Sequence, residues 1–201
     1  LSTALNGYDR NKKEIWQLLG GIWNAVYAQE INYILPPASF EDSGQKIRNP
    51  TQVINAKLGT CLDISVLFAA CLEQAGLHPI LIFTKGHAFV GCWLIDDIFT
   101  SPVIDDLATL RKRISLGEVL VFETTLTTQH GSNPSFSKAC ECAADCIRED
   151  HSEDFILSVD ISSARLQHLR PLSLFEHSVG NQESSPTPLE KLKNLELETP
   201  P

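Results

Sequence analysis

The chain has 201 residues, 43% of them apolar, and a formal net charge of −9. That is ample apolar material for a packed domain, and an acidic balance without a basic run excludes a phosphate-gripping nucleic-acid surface on this segment. No run of about 18 apolar residues occurs, which argues against a membrane span, and the opening residues lack the basic start and apolar stretch of a secretory signal.

Ile15, Leu18, Leu19, Ile22, Trp23 and Val26 recur at helical spacing and predict a helix over 10–31, with Gly20-Gly21 marking a weak point or a close approach. Pro36-Pro37 stops it, and 36–48 reads as loop. Asn49-Pro50 pairs an N-cap with a proline at the first helical position, so a short helix runs to Lys57, closed by Gly59. Thr60 and Asp63 form a capping box for the next helix. From Cys61 to Ala75 that helix is apolar on nearly every side, which makes it central; Gly76 ends it.

PILIFT (79–84) and HAFVGCWL (87–94) read as strands joined at Lys85-Gly86, and Asp96-Asp97 as a turn. Residues 104–116 look helical or mixed, EVLVFETT (118–125) is a third strand, and a helix is expected over 136–147. Residues 155–161 suggest a further strand and 162–168 a short helix. From about Gly180 the composition turns polar and proline-rich, as in a linker. The order gives an α+β class with a buried helix on an antiparallel sheet.

Cys61 occupies the first turn of the buried helix, where unpaired N–H groups and the helix dipole favour thiolate over thiol. A cysteine at a helix start is more often structural, and the histidine one hairpin away is what changes the odds. His87 opens a strand after a turn, a place where an imidazole can stand at the mouth of a sheet and act as general base to a nucleophilic sulfur. An imidazole in that role needs an acceptor on its other nitrogen. Glu123 interrupts the apolar run of the next strand and is the candidate; a strand-end glutamate facing water is the alternative, and Asp96, Asp97, Asp105 and Asp106 are rivals in turn-like segments. The Cys61 backbone N–H is a natural oxyanion donor, and the Gln45 side-chain amide is a second candidate. Cys71 and Cys92 read as buried hydrophobes, and six cysteines in a core-rich chain fit a reducing, cytoplasmic setting. Cys140, Cys142, Cys146 and His151 have the composition of a metal cluster but not the paired spacing of one, so no metal and no cofactor is expected.

The run GTCLDISVLFAACLEQAGLHPILIFTKGHAFVGCWL (59–94) resembles the core of the transglutaminase-like superfamily: Gly-x-Cys at a helix start, a buried helix, then His-Ala-aromatic opening a strand. The resemblance implies a papain-type Cys–His–acid triad with Cys61 as nucleophile and His87 as base. The acid, usually an aspartate on the strand after the histidine, falls on Glu123. Over about 41–172, GQKIRNPTQVINAKLGTCLD, VLVFETT and VDISSARLQHLRPL are similar to a segment of large bacterial proteins in which such a domain precedes a superfamily 1 helicase-like ATPase. That implies a cytoplasmic parent with the ATPase outside this chain, since no Walker motif is present here. A chain without methionine, opening at Leu1, reads as an excised or processed piece. The expected organisation is an N-terminal helical segment (1–40), the transglutaminase-like domain (41–178) and a tail (179–201). The expected activity is cysteine-dependent acyl transfer on protein or peptide amides, with hydrolysis preferred over crosslinking. An inactive sensing or docking module for a helicase partner is the alternative.

Overall fold

The structure is a computed structural model that describes residues 6–35 and 46–170. Gln45, most of the expected 36–48 loop and the expected tail lie outside them. Helix α1 (Lys12–Tyr27) starts at Asn11, whose side chain and that of Glu14 form a capping box. Gly20 is a close approach: a β-carbon there would stand 3.3 Å from Phe136. Strand β1 (Asn32–Tyr33) follows and pairs in parallel with β2 (Leu58–Gly59). Between them lies α2 (Pro50–Ala56), capped by Asn49 as its Asn-Pro start predicts. Its left-handed stop is Lys57 at φ 52°, not Gly59. Gly59 is constrained otherwise, since a β-carbon would meet Ile64 at 3.0 Å.

Helix α3 (Cys61–Gln74) has the expected capping box, with Thr60 accepting from the Asp63 N–H and Asp63 from the Thr60 N–H. Asp63 is fully buried, so each oxygen must find donors. It accepts from the Arg48 N–H at 2.7 Å and the Arg48 guanidinium at 3.0 Å as well. One carboxylate thereby ties the chain before α2 to the mouth of α3.

Strands β3 (Pro79–Thr84) and β4 (His87–Trp93) form a hairpin whose turn needs Gly86 at φ +72°. After β5 (Val103–Ile104) and α4 (Leu107–Ser115), β6 (Val119–Phe122) pairs with the outer side of β4. Helix α5 (Phe136–Cys146), β7 (Phe155–Asp160) and α6 (Ile161–Leu166) complete the described chain. The sheet order is β5-β7-β3-β4-β6, antiparallel throughout. The fold is therefore α+β.

Alternation along β4 splits its side chains between two cores. Val90 and Cys92 join Phe68 and Leu72 of α3 and Leu19 and Trp23 of α1. Phe89 and Trp93 join Leu107 and Leu110 of α4. Helix α1, which the sequence sets apart as an N-terminal segment, thus shares a core with the central helix. No helix among the described residues is long and apolar enough to cross a membrane.

Because Asp63 is buried and answers both Thr60 and Arg48, Asp63→Ala should cost roughly 2–3 kcal/mol, the range for stranding the partners of a buried charge. Urea unfolding measures it, and a loss near zero would show that these contacts do not anchor the helix.

Candidate active site

Cys61 is the first residue of α3 and only 6% exposed. His87 is the first residue of β4, one hairpin turn after β3. Glu123 immediately follows the last residue of β6. The fold brings the three together. The His87 Nε2 stands 2.6 Å from the Glu123 Oε2. The Cys61 thiol lies close enough to the imidazole for the two side chains to interact as hydrogen-bonding and charged partners.

The carboxylate is fixed on both oxygens. Oε1 accepts from the N–H and the hydroxyl of Thr125, each at 2.8 Å, while Oε2 faces His87. The Glu123 backbone is held as well: its N–H donates to the Ala139 carbonyl of α5, and its carbonyl accepts from the Trp23 indole of α1. Those two bonds pull the chain out of the β4 ladder after Phe122, and the strand is shorter than the expected 118–125.

Electrostatics follow from this packing. Burial opposes ionisation of the Cys61 thiol, but the His87 hydrogen bond, the Ala88 N–H, the His87 charge and the Leu62 N–H outweigh it, so its pKa lies below the ordinary cysteine value. The His87 pKa is pushed up to about 10 by its hydrogen bonds to Cys61 and then Glu123, against the effect of burial. Burial would raise the Glu123 carboxyl, yet His87 and the Thr125 donors hold it below its usual range. By contrast, burial pushes up the thiols of Cys71, Cys92, Cys140 and Cys146. The site therefore favours a thiolate–imidazolium pair.

The four rival aspartates lie elsewhere. Asp106 caps α4, Asp96 and Asp97 contact His78, and Asp105 sits in the loop before Asp106. Gln45 lies outside the described residues. Tyr33, which sequence reasoning missed, stands at the site. Its phenol pKa is raised by burial, then by the charge of Cys61 and a hydrogen bond to its side chain, then by Glu123; the Cys61 N–H, donating to the phenol oxygen, acts the other way. Tyr33 reaches there because β1 pairs with β2, opposite Gly59, two residues before the cysteine. A two-residue parallel pairing leaves no periodic signal. His87 also lines a cavity of about 320 Å³ together with Lys85, Asp145, His151 and Asp154 among others. Among the described residues no three His, Cys, Asp or Glu side chains converge to hold a metal ion.

Searches of protein-family models, of curated proteins and of solved structures find no match to this chain.

The pair sets a pH dependence of stability. His87 has a raised folded pKa, so taken singly its contribution is complete below 6.5, its ordinary value, and is lost as pH rises through about 10. Cys61 has a lowered folded pKa, so its contribution is complete above 9.0, its ordinary value, and is lost as pH falls. Between those two values the folded pair and the unfolded chain bind the same number of protons, and the two trends cancel. Urea midpoints should thus be flat there, falling on the alkaline side above about 9. In Cys61→Ala, only the His87 trend remains, so the decline should begin near 6.5 instead. Identical profiles for the two chains would show that the pair is not coupled.

Proposed function

We propose that this chain is a transglutaminase-like, papain-type domain that transfers acyl groups from protein or peptide amides through Cys61. The observation that carries the reading is the continuous contact from thiol to imidazole to carboxylate, with the thiol at a helix start. The resemblance of residues 59–94 to that superfamily supports it.

The chemistry needs sulfur, imidazole and carboxylate, and no cofactor. The Cys61 thiolate attacks the amide carbonyl carbon, and a C–S bond forms as the carbonyl π electrons move onto oxygen. The Cys61 N–H, which donates to the Tyr33 phenol in the resting site, becomes a donor for that oxygen when substrate displaces the phenol. When the tetrahedral species collapses, the C–N bond breaks and His87 gives its proton to the leaving amine. A thioester remains. His87, now neutral, takes a proton from water as the hydroxyl oxygen attacks the thioester carbon, and the thiolate leaves. Glu123 fixes the ring and balances its charge without itself taking the proton.

In this reading the parent protein is cytoplasmic and carries a helicase-like ATPase beyond this chain. A second reading, an inactive docking module for such a partner, draws on one observation: Cys61 is 6% exposed, and the Tyr33 phenol lies against it.

The test is alkylation by iodoacetamide at about pH 6, where an ordinary cysteine is almost wholly thiol. Cys61 should be modified ahead of the other five cysteines, and His87→Ala should abolish the preference. With an activated ester, the wild type should accumulate one acyl group on Cys61, and His87→Ala should slow this by about 10²–10⁴-fold. Slow, uniform labelling of every cysteine, together with no acyl adduct, would favour the docking module.

A further inference from the structure

We infer that Ser65 is a positioning residue for the Cys61–His87 pair, its single hydroxyl holding the start of β4 and the turn after β6 against the helix that carries the cysteine. The inference rests on the acyl-transfer reading of that pair.

Ser65 lies one helical turn beyond Cys61, on the same face of α3, and is fully buried. Its Oγ donates to the carbonyl of Ala88, the neighbour of His87, at 3.2 Å. It also stands 3.1 Å from the Oγ1 of Thr124, the neighbour of Glu123. A hydroxyl carries one proton. With that of Ser65 given to Ala88, Thr124 is the donor to Ser65, and the bonds form a directed chain from the β6 end through α3 to β4. Thr124 is itself fully buried, and its carbonyl accepts from the Thr127 hydroxyl at 2.6 Å.

The chain exists because the ladder stops early. The last rung between β4 and β6 is Val90 opposite Phe122. Ala88, two residues earlier, has no β6 partner on that side, and α3 supplies the replacements. Ser65 takes the Ala88 carbonyl, and the Cys61 thiol takes its N–H. One residue beside His87 is therefore fastened to α3 at two points, one of them the sulfur of Cys61. Without the Ser65 hydroxyl, a buried carbonyl and a buried threonine hydroxyl lose their partners. The start of β4 and the 124–125 segment can then drift from α3, and the contacts that depress the thiol pKa loosen.

The test uses the 201-residue chain and follows Cys61 alkylation by peptide mass across about pH 4–10. Ser65→Ala and Thr124→Val should each raise the apparent Cys61 pKa by about one unit, roughly tenfold less thiolate on the acid side. Thr124→Ser, which keeps the hydroxyl, should retain the wild-type profile, and the double variant Ser65→Ala with Thr124→Val should shift no further than either alone. Near-ultraviolet circular dichroism checks the fold. If Ser65→Ala does not fold, the Thr124→Val and Thr124→Ser pair decides by the same criterion. Folded variants with a wild-type Cys61 profile, whatever their loss of urea resistance, would reduce Ser65 to a structural contact and overturn the inference alone. A wild-type Cys61 that titrates like the other cysteines would overturn the acyl-transfer reading and this inference with it.

Discussion

A carboxylate left in a protein interior must be met by donors or lose its charge, and Glu123 is where this fold answers that constraint. It is 6% exposed, with two Thr125 donors on one oxygen and the His87 ring on the other. The ionised carboxylate favours a protonated imidazole, and the protonated imidazole favours a thiolate at Cys61. Thiolate, imidazolium and carboxylate thus sustain one another, with Cys61 the larger lift on the ring and Glu123 the next. The α3 terminus contributes as well, through its dipole and the Leu62 N–H that meets the sulfur. Neither element alone places charge on the cysteine, whose burial works against it.

The three side chains that meet in the site were legible in the sequence because each sits at a local signal. The Thr60–Asp63 capping box marks Cys61, the Lys85-Gly86 turn marks His87, and a charge breaking an apolar run marks Glu123. What was not legible depends on non-local pairing. β7 lies inside the sheet beside β3, and nothing in either strand specifies that neighbour. β1 and β5 have two residues each, too few for periodicity. Tyr33 therefore reached the site unannounced. Gly59 misled for a different reason: a glycine after a helix suggests a left-handed stop, but here it is required by the approach of Ile64, and Lys57 takes the left-handed conformation.

Serine at position 65 shows the limit of composition as a guide. In a helix that is apolar on nearly every side, a small hydroxyl reads as tolerated filler. Its role comes from a vacancy in another element, the lost rung beside Ala88, which no local pattern reveals.

Where the acid of the site stands follows from the same lost rungs. Continued past Phe122, the β4–β6 register would set Thr124 opposite Ala88 and Thr125 opposite His87. The backbone instead leaves the ladder at Glu123, drawn away by Ala139 and Trp23. Thr124 then takes a helical conformation (φ −89°, ψ −29°) and opens a 3-10 turn, so the chain turns after Glu123 and does not run on beside His87 as a strand. The Glu123 side chain reaches His87 at 2.6 Å from that turn, and Thr125, the first residue of the 3-10 helix, holds the oxygen that the ring does not use. An aspartate at 123 would be one methylene shorter from the same backbone position. The acid in this site is therefore fitted to where β6 ends.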